Sequence, residues 1–152
     1  MSVAELDARG VLVACPACGR TNRLAHGQLH RRGRCAACKA SLAAPDRPVA
    51  AADVRVFDAL IAEATVPVLV DFWAPWCAPC RMVAPELERV AAKTAGRAIV
   101  VKVNTDEMPD LGARHRVQSI PTLLLFSRGH ESGRLLGARP AAEIERFVET
   151  GA

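Results

Sequence analysis

Six cysteines fall in three Cys-x-x-Cys pairs, at 15/18, 35/38 and 77/80. No other feature narrows the chain's options as much. Two thiols three residues apart suit a tight metal-binding turn or the first turn of a helix, and the flanking sequence decides which. The segment Met1-Ser2-Val3-Ala4-Glu5-Leu6-Asp7 lacks a basic region followed by an apolar one, so no secretory signal is expected there. No apolar run is long enough to span a bilayer. The expected location is the reducing cytoplasm, and there cysteines serve as metal ligands or redox groups more often than as structural cross-links.

The two halves of the cysteine pattern lie in regions of different charge. Residues 1–48 carry eight Lys and Arg against three acids, a net +5, which leaves 12 against 13, a net −1, for residues 49–152. The junction from Ala43 to Ala52 holds Pro45 and Pro48 and little apolar bulk, and so reads as a linker. The expected organisation is a metal-binding module over 1–48 followed by a larger domain over 49–152. A module of that size rarely stands on an apolar core alone, and a metal is a common remedy.

The larger region alternates strand and helix signals, which argues for an α/β fold around one sheet. Val54-Arg55-Val56 reads as a short strand. Phe57 to Ala64 has helical spacing. Pro67 to Trp73 (PVLVDFW) is almost continuously apolar, the mark of a central strand buried on both faces. Cys77 to Ala95 reads as a helix, with Met82, Leu87 and Val90 towards the sheet and a kink expected at Pro85. Ile99 to Val103 and Thr122 to Phe126 read as strands, Asp106 to His115 as a short helix, and Gly133 to Leu136 as an antiparallel neighbour. Ala141 to Glu149 closes the chain as a helix with Ile144, Phe147 and Val148 at core spacing.

Cys77 therefore stands between a buried strand and the start of a helix. Unpaired amides and the helix dipole favour an anion there, and a thiolate is one. In such a setting the cysteine pKa falls from about 8.5 to about 7 or below. Cys80 lies on the same helix face, roughly 5–6 Å away at Cβ, within reach of disulfide geometry. Pro79 suits the first turn. A zinc knuckle or a surface disulfide is the bland alternative, but a metal needs two further ligands, and no other Cys or His occurs between residues 67 and 90. Asp71, in the middle of the apolar strand, is expected to be buried with a raised pKa, as a proton acceptor or as a local cap.

Val70-Asp71-Phe72-Trp73-Ala74-Pro75-Trp76-Cys77-Ala78-Pro79-Cys80 closely resembles the active-site strand and turn of thioredoxins. Ser119-Ile120-Pro121-Thr122 resembles their cis-proline loop, and the resemblance extends over about residues 53–150. It implies a thioredoxin fold, a mixed central sheet flanked by helices, and a protein-disulfide reductase activity. By that resemblance Cys77 is the nucleophile, Cys80 the resolving thiol and Asp71 the carboxylate that moves the Cys80 proton, with Lys102 near it. Trp76, Ile120, cis-Pro121 and Gly137 form the apolar rim that meets the substrate, while Trp73 packs in the core. Partners implied are protein disulfides and a flavin-containing, NADPH-dependent thioredoxin reductase; no organic cofactor is expected in this chain, which is expected to be a monomer. Ala78 and Arg81 depart from the usual Gly and Lys. They bear on the reduction potential, which in related proteins spans about −270 to −120 mV.

Cys15, Cys18, Cys35 and Cys38 have the spacing Cys-x2-Cys-x16-Cys-x2-Cys, which lies within the zinc-site range. Four thiolates satisfy one tetrahedral Zn²⁺ in a zinc-ribbon-like module, structural or redox-sensing. His26 and His30 are surplus to that set and are expected at the surface. The arginines around them compensate the thiolate charge or form a nucleic-acid patch. The module lacks Phe, Trp and Tyr, so it has no stacking platform, and nucleic acid is not the expected partner. A zinc module ahead of such a domain resembles the zinc-containing bacterial thioredoxins.

Overall fold

The computed structural model describes residues 4–151. Three antiparallel strands open the chain: β1 (Glu5–Asp7), β2 (Gly10–Ala14) and β3 (Thr21–Ala25). A 3-10 turn at His26–Gln28 follows, then the two-residue strands β4 (Gly33–Arg34) and β5 (Ser41–Leu42), which pair with each other. Leu6, Val11, Leu24, Leu29 and Leu42 join Val49, Phe57 and Leu60 in one apolar cluster. The first 48 residues thus share their core with the rest of the chain.

A second sheet has the order β10-β9-β7-β8-β6. Its strands are β6 (Val49–Ala50), β7 (Val68–Trp73), β8 (Ile99–Asn104), β9 (Thr122–Ser127) and β10 (His130–Leu136). β6, β8 and β7 run parallel, β9 pairs antiparallel with β7, and β10 pairs antiparallel with β9. Four helices cover it: α1 (Val54–Glu63), α2 (Ala78–Thr94), α3 (Pro109–Arg114) and α4 (Ala141–Gly151). Side chains alternate across a strand, so Val68, Val70 and Phe72 join the cluster with Phe57 and Leu111, while Leu69 joins Val83, Leu87 and Ile144 on the opposite face. The central strand is buried on both faces, as its unbroken apolar run implies. Among the described residues no helix is long and apolar enough to cross a membrane.

Two expectations change. Val54-Arg55-Val56 is not a strand but the first turn of α1, because the Asp53 carboxylate accepts the Val56 amide at 2.9 Å and caps the helix. That local bond outweighs the strand preference of two valines. Met82 does not face the sheet. It is 69% exposed, because the buried stripe of α2 runs through Cys80, Val83, Leu87, Val90 and Thr94 and position 82 falls about 200° round the helix from 80. The helix runs unbroken through Pro85. Leu87→Ala is expected to cost about 2–5 kcal/mol in a urea titration, and Met82→Ala less than about 0.5 kcal/mol; equal losses would place the helix face wrongly.

Candidate functional site

β7 ends at Trp73, and the chain turns through Ala74-Pro75-Trp76 into α2, whose N-cap is Cys77. The Cys77 amide donates to the Ala74 carbonyl at 3.2 Å and tightens the turn. The Cys80 amide donates to Cys77 Sγ at 3.2 Å, so the sulfur occupies the cap position and faces the helix N-terminus. Cys77 and Cys80 form a disulfide with their Cα atoms 5.2 Å apart, and both are buried. The missing N–H of Pro79 falls in the first turn, where no intrahelical acceptor exists. Arg81 reaches back to donate to the Pro75 carbonyl at 2.9 Å.

Opposite the disulfide lies the loop before β9. The Ile120–Pro121 peptide is cis, and the Ile120 carbonyl oxygen sits 3.7 Å from Cys77 Sγ. Ile120 packs with Trp73 against the small cluster of Ala74, Cys77 and Cys80. The Gly137 amide donates to the Pro121 carbonyl at 2.9 Å, and Gly137 adopts φ +81°, which a side chain would strain. Trp76 is 69% exposed beside the disulfide, and its indole N–H is held by the Asp106 carboxylate at 3.1–3.2 Å. The sequence-predicted residues Cys77, Cys80, Trp76, Ile120, Pro121 and Gly137 therefore come together around one surface. Asp106 was not anticipated; its only signal is its place just after the end of β8.

Asp71 is fully buried on β7, between Lys102 of β8 and Leu123 of β9 in register. By strand parity it lies on the same face as Leu69, the face covered by α2. Neither carboxylate oxygen has a hydrogen-bond partner, which rules out a local cap. Burial pushes its pKa up from 3.8 to about 7, only partly opposed by the Lys102 charge. The Lys102 ammonium sits 4.5 Å from the centroid of the Trp73 ring, a cation–π contact that keeps it half-buried beside the carboxylate.

The other four cysteines form a separate cluster. Each pair closes a knuckle of the same design: the Cys15 amide donates to the Arg20 carbonyl and the Cys35 amide to that of Ala40. Gly19 (φ +79°) and Lys39 (φ +66°) occupy the left-handed position in each turn. All four sulfurs lie within 4.8 Å of one another, with Cys15–Cys38 and Cys18–Cys35 at 3.6 Å. Metal–sulfur bonds of about 2.3 Å in a tetrahedron set sulfurs about 3.8 Å apart, so the four could hold one ion, consistent with a zinc-ribbon-like module. The thiols differ in acidity. The Cys38 amide foremost draws Cys35 down to about 6. The Arg20 amide draws Cys18 down too, but the Cys35 sulfur, burial and the two other sulfurs outweigh it and push Cys18 up to about 11. Thiols this close do not all ionise without a cation among them.

Asn22, which the sequence did not single out, links the two knuckles. Its carboxamide accepts the Ala36 amide at 3.0 Å and donates to Cys35 Sγ at 3.5 Å. His30 is exposed as expected and meets the Thr65 hydroxyl at 3.1 Å. His26 is not exposed: it is fully buried with Nε2 3.0 Å from the Asp7 carbonyl, because the 3-10 turn it opens packs on α1. Pro16, beside Cys15, lines a cleft with Ala92 and Ala95 at the end of α2 remote from Cys77. At 1.5 Å per residue α2 is about 25 Å long, and that length separates the two cysteine systems.

A disulfide capping a helix, a cis-proline loop against it and a buried acid beneath it define a thiol–disulfide oxidoreductase. The family model described as Thioredoxin matches residues 48–150. Thioredoxin 1 of Nostoc sp. is 46% identical over 89 residues, 59% of this chain and 83% of that protein. Thioredoxin 1 of Chlorobaculum tepidum is 47% identical over 94 residues, 62% and 93%. Among solved structures, a thioredoxin variant of Halobacterium salinarum superposes with TM-score 0.65 at 31% identity, over 70% of this chain and 92% of that one. The chain belongs to the thioredoxin family. The family match begins at residue 48, so the four clustered cysteines lie outside it.

The Asp71 carboxyl generates a pH prediction. Below about pH 4 folded and unfolded chains both hold its proton and it costs nothing. As pH rises from about 4 to 7 the unfolded chain releases the proton while the folded one keeps it, so stability falls. Above pH 7 the full penalty, about 4 kcal/mol at 1.36 kcal/mol per pH unit, applies. Asp71→Asn is expected to flatten that slope in the oxidised protein and to raise stability above pH 7, read by urea unfolding at a series of pH values. An unchanged slope would mean that Asp71 titrates normally.

Proposed function

We propose that this chain is a cytoplasmic protein-disulfide reductase of the zinc-containing bacterial thioredoxin type, recycled by an NADPH-dependent thioredoxin reductase. The observation that carries the reading is the Cys77–Cys80 pair at the N-terminus of α2 with an unpartnered buried carboxylate on the strand that precedes it. Cys77 is the nucleophile, since its sulfur already sits where the first-turn amide of Cys80 favours a thiolate. In the reduced chain the Cys77 thiolate attacks one sulfur of a substrate disulfide; a mixed disulfide forms and one substrate thiolate leaves. Asp71, with its pKa near 7, takes the proton of Cys80. The Cys80 thiolate then attacks Cys77 Sγ, and the second substrate thiolate leaves. The substrate gains two electrons and the chain ends with the Cys77–Cys80 disulfide. NADPH returns two electrons through the reductase.

Trp76, Ile120, Pro121 and Gly137 hold an extended substrate segment against Cys77, with backbone groups of the proline loop in reach. Residues 1–48 form the zinc module and 49–152 the redox domain, and the chain works as a monomer. Cys15, Cys18, Cys35 and Cys38 hold one zinc ion. The helix-length separation from Cys77 supports a structural ion, one that stabilises the knuckles and through the shared apolar cluster the face of α1, rather than one that takes part in the exchange.

Wild-type chain is expected to reduce a protein disulfide in a reductase-coupled assay, and Cys77→Ser to abolish this. Cys80→Ser should accumulate a mixed disulfide with the substrate, visible by mass. Reduction by Cys77→Ser at the wild-type rate would sink the assignment. Zinc analysis is expected to give one ion per chain, lost in Cys15→Ser while the Cys77–Cys80 disulfide still forms; retention of zinc in that variant would refute the four-cysteine site.

A further inference from the structure

Beside the knuckles, and away from the disulfide, lies a cleft of about 480 Å³ that the redox reaction does not use. Four arginines line it: Arg23 from β3, Arg31 and Arg32 from the stretch after the 3-10 turn, and Arg34 from β4. No Asp or Glu lines it. Its apolar wall is Leu24 and Leu42, and Asn22 and Gln28 add side-chain amides. The volume is that of an ordinary small-molecule site.

Such a cluster requires a reason, because like charges held together repel. The obvious one is neutralisation of the clustered thiolates. The contacts do not support it. Among the described residues the side chain that donates to a cysteine sulfur is Asn22, not an arginine. Arg23 is bound to Asp7, with Nη2 2.6 Å from the carboxylate. Arg31 donates to His30 Nε2 at 3.1 Å and Arg32 to the Ser41 hydroxyl at 3.3 Å, neither of them a carboxylate. Among the described residues Arg31, Arg32 and Arg34 make no ion pair. Three arginines without an ion pair among the described residues thus line one hollow with an apolar wall. Each presents planar donors that match phosphate oxygens.

We infer that this cleft binds a phosphate-bearing small molecule of nucleotide size, its phosphates on Arg31, Arg32 and Arg34 and its uncharged part against Leu24 and Leu42. The chemistry specified is that of a di- or triphosphate. Three arginines offer donors for more than one phosphate group, inorganic phosphate or pyrophosphate would leave the apolar wall bare, and the module offers no aromatic ring on which the bases of a nucleic-acid strand could stack. The site gives the N-terminal region a role of its own, separate from thiol exchange.

The test is calorimetric titration of the full-length, zinc-loaded protein with adenosine diphosphate, with pyrophosphate in a parallel arm. Saturable binding at one per chain is expected, weakened about tenfold or more in the Arg31→Ala/Arg34→Ala double variant and unchanged in Arg146→Ala on α4. Adenosine diphosphate is expected to bind tighter than pyrophosphate, because only it carries an uncharged part for the apolar wall; equal binding would overturn the assignment of that wall to the ligand. The double variant should keep its zinc and its disulfide reductase activity. Four results would overturn the inference: no saturable binding, equal weakening in Arg146→Ala, loss of zinc from the double variant in place of loss of anion binding, or a single-stranded oligonucleotide binding tighter than either probe.

Discussion

The run Pro67 to Trp73 has to be buried on both faces, and much of the molecule follows from that requirement. A strand of this kind needs strands on either side and helices above and below. β8 and β9 supply the first, α1, α2, α3 and α4 the second. Placing the strand there also places Asp71, which is fully buried and has no hydrogen-bond partner. The Lys102 charge beside it offsets only part of the cost of burying a carboxylate at that point. The carboxylate persists beneath a cysteine pair at the end of the same strand, in the position where a proton acceptor is of use. The unfavourable burial and the proton-acceptor role proposed for Asp71 are two aspects of one placement.

The same four-residue spacing has two outcomes in this chain, and the flanking residues decide between them. After Cys77 comes a segment able to continue as a helix, so the pair occupies the first turn and its sulfurs meet each other. After Cys18 and Cys38 come Gly19 and Lys39 in left-handed conformations, which reverse the chain at once. Helix formation is stopped, the turn amides point inward, and each pair turns its sulfurs towards the other pair.

What was legible in the sequence was what a run of neighbours determines. The central strand, the Cys77 helix, the proline loop and the four-cysteine set all have local signatures. Their mutual approach was carried by the thioredoxin resemblance rather than by any spacing. The errors share a cause. The strand expected at Val54–Val56 rested on side-chain preference, and one Asp53 bond overrode it. Met82 reads as inward by its apolar side chain, although the stripe set by Cys80 and Leu87 excludes it. His26 reads as surface because four cysteines already complete the metal set, whereas its burial depends on α1, more than twenty residues on. Asn22 and Asp106 carry no motif, and their importance lies in what the fold brings to them.

The placement of the two cysteine systems at opposite ends of α2 has a chemical consequence. Thiol–disulfide exchange needs sulfur in contact with sulfur, because it proceeds through attack and not through tunnelling along the backbone. Six cysteines in one small chain could otherwise scramble, the reactive pair attacking an oxidised knuckle or being captured by it. The rigid helix acts as a spacer that forbids any such encounter within one molecule. Traffic of disulfides between the two systems would require a second molecule, and its rate would then rise with protein concentration rather than being a property of the chain alone.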